Sequence, residues 1–175
     1  MANELPEFWL RGLIEGITPG LQPVAHALLQ SRQEVKQALD GFPDELLWVR
    51  PAGRASVAFH LQHLTGVCDR LFTYAEGNML EEEQLAYLKE EGKEREGIDL
   101  NNLIDQWSLA VEMALGRLAQ WKAEDLLQPR EVGRKKLPST VLGLLFHAAE
   151  HSSRHTGQLI VTAAFVKAMR DKNGA

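Results

Sequence analysis

The chain reads as an all-α protein, a four-helix bundle with a long connection between its second and third helices. Two observations carry that expectation. Four segments repeat apolar residues at helical spacing, and no segment alternates apolar and polar residues as a half-buried strand would. Four long amphipathic helices within 175 residues bury their apolar faces most simply against one another.

The first helix is expected over about 20–39, where Leu21, Val24, Leu28, Val35 and Leu39 fall on one face. Gly41-Phe42-Pro43-Asp44 stops it. A short turn through Leu47 and Trp48 leads to Arg50-Pro51-Ala52-Gly53. Ser56 is the expected N-cap of the second helix, which runs to about residue 75 on Val57, His60, Leu64, Val67, Leu71 and Tyr74. Residues 76–97 are strongly charged. They are expected to hold a short exposed helix, with Leu80, Leu85, Tyr87 and Leu88 resting on the bundle and the acidic residues forming a solvated face. The third long helix, about 99–121, has the cleanest period: Leu100, Leu103, Ile104, Trp107, Val111, Ala114 and Leu118. A polar loop is expected over 122–137, ending at Pro138. Ser139 or Thr140 then opens the last long helix, which continues to about residue 169.

Composition narrows the function classes. The length suits one domain over 1–175, and 45% apolar with 25% charged residues is ordinary for a globular protein. No apolar run approaches the roughly 18 residues that span a bilayer, so no membrane partner is expected. The N-terminus, MANELPEFWLRG, carries Glu4 and Glu7 and lacks a basic-then-apolar signal pattern. A cytoplasmic location is therefore expected. Cys68, the single cysteine, excludes an intrachain disulfide, in keeping with a reducing compartment. On the apolar side of its helix it reads as a small hydrophobe. Net charge is −5, with acidic residues crowded between Glu81 and Glu96. The only basic cluster, Arg130, Arg134, Lys135 and Lys136, is small, and no nucleic-acid partner is expected.

The chemistry-bearing feature lies on the last helix, in LLFHAAEHSSRHTGQL. His147, His151 and His155 stand at i, i+4 and i+8, and each four-residue step drifts only about 40°. They share a stripe with Leu144, Gln158 and Thr162, the face expected to be buried. Buried imidazoles must be hydrogen-bonded or bind something, and neutral imidazole is a common metal ligand. The second helix supplies His60 and His63 as partners. Spacing alone does not choose between them, and His60 lies nearer the centre of its apolar stripe.

At this point the chain resembles the DinB/YfiT-like metalloenzyme family, which includes thiol-dependent transferases. The last helix carries His151-Ser-Ser-Arg-His155-Thr156-Gly157-Gln158, similar to the family's H-x-x-x-H-x-G-Q signature. The second carries Ser56-Val57-Ala58-Phe59-His60-Leu61-Gln62-His63, similar to its S-[IV]-A-x-H-x-x-H pattern, with Trp48-Val49-Arg50-Pro51 before it. The resemblance implies a divalent metal on His63, His151 and His155, with His60 as runner-up. Many members have Arg directly after the last histidine, where Thr156 stands here, so no arginine contact carries over at that position. Behind the ligands, His147 is expected to support one of them or to hydrogen-bond within the core. Gln158 is expected to line the pocket or bridge helices. Asp69 is expected either to orient a ligand histidine or to face solvent.

Zinc and nickel suit imidazole ligation best, with iron and manganese next. The resemblance further implies a low-molecular-weight thiol as co-substrate, ionised at the metal and aimed at an electrophilic small molecule. The basic cluster either meets that thiol's carboxylates or is a solvated loop. The rival readings are a non-catalytic stress-related metal- or ligand-binding protein and a metal-dependent hydrolase. A homodimer is expected, with Phe8, Trp9, Leu10 and Leu13 either covering a partner subunit or folding back on their own bundle. His147-Ala-Ala-Glu150-His151 also spells the inverted zincin pattern H-x-x-E-H. Glu150 is expected to point some 100° away from His151, and neither a downstream acidic ligand nor a peptide-holding strand is in evidence.

Overall fold

The computed structural model describes residues 5–173; Glu4 of the N-terminal reading lies outside them. The described chain forms α1 (Gln22–Ala38), α2 (Val57–Ala75), α3 (Glu82–Glu90), α4 (Leu100–Leu118), strands β1 (Pro129–Val132) and β2 (Leu137–Thr140), and α5 (Val141–Asn173). The four long helices are the four that periodicity predicts, with ends displaced by a few residues. The longest, α5, extends about 50 Å at ~1.5 Å per residue.

α5 packs on α1 and α2, and α4 closes the ring by packing on both of those helices. Between them sits one apolar core, with Trp107, Phe72, Leu28, Leu61, Leu145 and Leu159 sealed from solvent. The helix starts follow from local chemistry. Ser56 Oγ accepts the Phe59 N–H at 3.1 Å, fixing the register of α2. Asp99 caps α4 by accepting the Asn102 N–H, and Asp44 reaches across to accept that of Leu100. Thr140, not Ser139, caps α5, its Oγ1 accepting the Gly143 N–H at 3.0 Å.

Residues 122–137 are more ordered than a polar loop. β1 and β2 pair antiparallel from Pro129↔Thr140 to Val132↔Leu137, turning through Gly133 and Lys136, both at positive φ. Four-residue strands that include Pro129 and Pro138 carry no readable two-residue period. Packing supplies what local sequence does not: β1 lies against α2 and β2 against α5. Arg130 anchors the hairpin by donating from Nε to the Ala75 carbonyl at 2.6 Å.

The N-terminal segment folds back along α1. The Phe8 N–H donates to Gln30, and buried His26 donates to the Gly12 carbonyl at 2.9 Å. Phe8 packs against the core while Trp9, Leu10 and Leu13 remain exposed. Among the described residues no helix is long and apolar enough to cross a membrane.

Candidate metal centre

Two helices meet at the centre, and a third element locks it. α2 carries His60 and His63 within two turns of its Ser56 cap; α5 carries His151 and His155 one turn apart. Their packing brings one ligand atom each of His63, His151 and His155 within 4.8 Å of one another. His63 Nε2 lies 2.9 Å from His151 Nε2. Two ligands with bonds of about 2.0–2.1 Å at a right angle on one cation span about the same distance. The donor set is all imidazole, chemically suited to zinc, nickel or iron.

Hydrogen bonds orient these rings. Glu91 Oε2 accepts from His63 Nδ1 at 2.6 Å, which places that ring's proton on Nδ1 and leaves the Nε2 lone pair facing the cluster. His60 Nδ1 lies 3.1 Å from His155 Nδ1, so His155 also has its Nε2 free. His60, only 3% exposed, therefore supports His155 from the core. His63, at the stripe's edge, faces the cluster. Phe59 stacks on His63 with centroids 5.3 Å apart and planes 11° from parallel, covering it from one side.

Glu91 corrects the reading of the acidic stretch as a solvated face. Its side chain is only 4% exposed, and its second oxygen accepts from buried Arg70 Nη1 at 2.7 Å. The carboxylate is delivered by a chain of contacts from α3 to α2. Glu81 and Gln84 close a capping box at the start of α3. Gln84 then donates to Asp69 and Thr73, Tyr87 Oη donates to the Gln62 carbonyl, and the Gly92 N–H donates to Gln62 Oε1. Gly66 makes room: a Cβ there would sit 2.5 Å from both Arg70 Nη1 and Glu91 Oε1. Gly92, at φ +80°, does the same beneath Phe59, which a Cβ would meet at 2.9 Å.

Three of the four rings are kept neutral. Burial, reinforced by proximity to His63, lowers the pKa of His60 to about 4, of His151 to about 4 and of His155 to about 3. Neutral imidazole is the form that binds metal, so His151 and His155 need no deprotonation at neutral pH.

Other expected site residues lie elsewhere. His147 is on the outside of α5, its side chain 49% exposed and 3.4 Å from Glu150, so it is neither core nor support for a ligand. Gln158 is exposed, neither lining the pocket nor bridging helices. The buried stripe of α5 runs instead through Leu145, Ala148, Ser152, Thr156, Leu159 and Ala163, with His151 and His155 on its edge. Thr156 bonds Ser31 of α1. Asp69 touches no histidine; it accepts from Arg117 at 3.2 Å and Gln84 at 2.6 Å, docking α3 and α4 onto α2. Arg130 binds the last residue of α2, twelve positions from His63 or about 18 Å along the helix, which removes it from the mouth of the centre. Glu150 reaches closer to His151 than its angular position suggests: with His147 they form a second group whose ligand atoms lie within 4.8 Å. Its carboxylate is engaged by Arg154 at 2.7 Å, which keeps its pKa below the usual value. Arg154 Nη2 also lies 3.3 Å from His151 Nδ1, a neighbour that the family motif does not specify.

Fold and centre define an all-helical bundle with a three-histidine cluster suited to a metal ion. Residues 27–159, most of the chain, match the DinB superfamily, and the protein belongs to that family. A comparison with curated proteins found no match.

Proposed function

We propose that the protein is a metal-dependent S-transferase in which His63, His151 and His155 hold one divalent cation, zinc or nickel, and a low-molecular-weight thiol is joined to an electrophilic small molecule. The observation that carries this reading is the convergence of three imidazoles whose donor atoms lie within 4.8 Å. Three protein ligands with a position left open is the pattern of a catalytic metal rather than a structural one. When bound, such a cation supplies the positive charge that acidifies a thiol or water beside it.

The chain's own residues do the rest. Glu91 holds the His63 proton on Nδ1, and His60 orients His155, so both rings offer Nε2 without rearrangement. Phe59 shields His63 from water. Arg154, beside His151 at the outer edge, places a cation where an anionic part of a substrate would approach. A hydrolytic reading has Glu150 in its favour, as a carboxylate near His151. Its engagement by Arg154 makes it a poor base, and the transferase reading is preferred.

The test joins metal content with turnover. Untagged protein, loaded with zinc or nickel and desalted, is expected to retain about one ion per chain, and His155→Ala to lose most of it. The loaded protein is expected to consume low-molecular-weight thiols in the presence of an epoxide or alkyl halide. Unchanged metal content in His155→Ala overturns the ligand set. Bound metal with no thiol consumption overturns the transferase reading.

A further inference from the structure

A separate cavity of about 390 Å³ opens between α2, α3 and α4, within the roughly 300–1,000 Å³ usual for small-molecule sites. Its walls are mainly apolar: Phe72, Leu109, Ala110, Met113 and Ala114 contribute, and none of the clustered histidines lines it. Leu109 and Met113, on the outer side of α4, are more than half exposed. One charged group in this apolar setting is incompletely used. Arg70 lines the cavity with its side chain only 9% exposed. Among the described residues its one hydrogen bond runs from Nη1 to Glu91, leaving most of the guanidinium's donors unengaged.

We propose that this cavity binds a small amphiphilic carboxylic acid, its carboxylate on Arg70 and its chain against Leu109, Ala110 and Met113. The planar fork of a guanidinium fits a carboxylate's two oxygens. The other charges in the wall favour a monoanion at that position. Both arginines have a carboxylate partner, but Arg117 gives three donors to Asp69 and Glu76, whereas Arg70 gives one to Glu91. Glu83 on the α3 rim, like Asp69, disfavours a dianion. Arg70 thus has more donors to spare than Arg117, and the apolar wall of α4 gives the chain its surface.

Calorimetric titration of metal-free protein with octanoate and with octanol tests this. Octanoate is expected to saturate one site and to bind at least about tenfold tighter than the alcohol. Arg70→Met is expected to reduce the acid to the alcohol's level. Because that change strands Glu91 and endangers folding, Ala110→Trp provides the second arm: it fills the cavity from α4 without touching Arg70, and should weaken octanoate at least about tenfold. Absence of saturable octanoate binding, equal affinity for acid and alcohol, or full affinity in Ala110→Trp each overturns the proposal. The titration uses metal-free protein, so its outcome is independent of whether the histidines hold a cation.

Discussion

Glu91 has two jobs: it holds the ring of His63 and answers the buried charge of Arg70. Glu91→Gln keeps the shape but removes the charge that fixes the His63 proton on Nδ1. Loss of such a partner behind a ligand typically weakens metal binding about 10–100-fold. Competition of the loaded protein against a chelator is expected to show a drop of that size. Equal retention in both proteins would mean the carboxylate serves folding alone. The neighbouring contrast is His147, one turn before His151 and identical in chemistry. Its ring lies 5.2 Å from that of His151, but half exposed it falls outside the three-histidine set. The same amino acid at the same spacing thus joins the buried cluster or an exposed group with Glu150 according to a few tens of degrees of helix rotation.

Among the elements, α2 is the organising one, since it packs on α4, α5 and α3 and carries half of the histidine cluster. Gly66 in its interior is unfavourable for a helix by about 1 kcal/mol relative to Ala. Its presence is explained by the Arg70–Glu91 pair and Tyr87, which pass over the backbone at that point. In Gly66→Ala the propensity gain of ~1 kcal/mol is set against overpacking of about 1–3 kcal/mol, because all three neighbours are already engaged. The expected result is a lower thermal midpoint together with weaker metal retention, as the pair is pushed off His63. A variant that is stabilised and retains metal normally would show that the pair relaxes freely. The α3 element illustrates how little local amphipathicity is needed: none of its residues is fully buried, yet three hydrogen bonds from Gln84 and Tyr87, with a fourth from Gly92 just beyond it, seat it on α2 and place Glu91 at its end.

For the molecule as a whole, the histidine cluster sets a pH dependence. The ordinary histidine value is 6.5, and His60, His151 and His155 lie at about 4, 4 and 3 in the folded protein, chiefly through burial. The unfolded chain therefore binds more protons than the folded one once the pH drops below 6.5. Stability of the metal-free protein is full above that point, declines as the pH falls, and has lost this contribution after passing the folded values. Denaturant unfolding between pH 8 and 4 should follow that course, and His155→Gln should make it shallower. A flat profile across this window would show that the rings are as solvated in the folded protein as in the unfolded chain. The bundle thus holds His60, His151 and His155 uncharged at neutral pH, and loses stability in acid as a result.

The all-helical class, the four long helices and the histidine positions follow from spacing, because a 3.6-residue period and a cap such as Ser56 are properties of neighbouring residues. The pairing of α2 with α5 was legible only through resemblance: periodicity places His60 nearer the core and cannot say that a core position makes it a support for His155. Glu91 was hidden in an acidic run, where nothing local marks one carboxylate as buried; its role arises from α3 docking on α2. The hairpin of β1 and β2 was hidden for the same reason, its strands being too short to show a period and ordered by the helices they touch. Local spacing fixes which residues share a helix face. How far each helix is rotated, and therefore which polar groups on that face are buried together, depends on packing against chain segments far away in sequence.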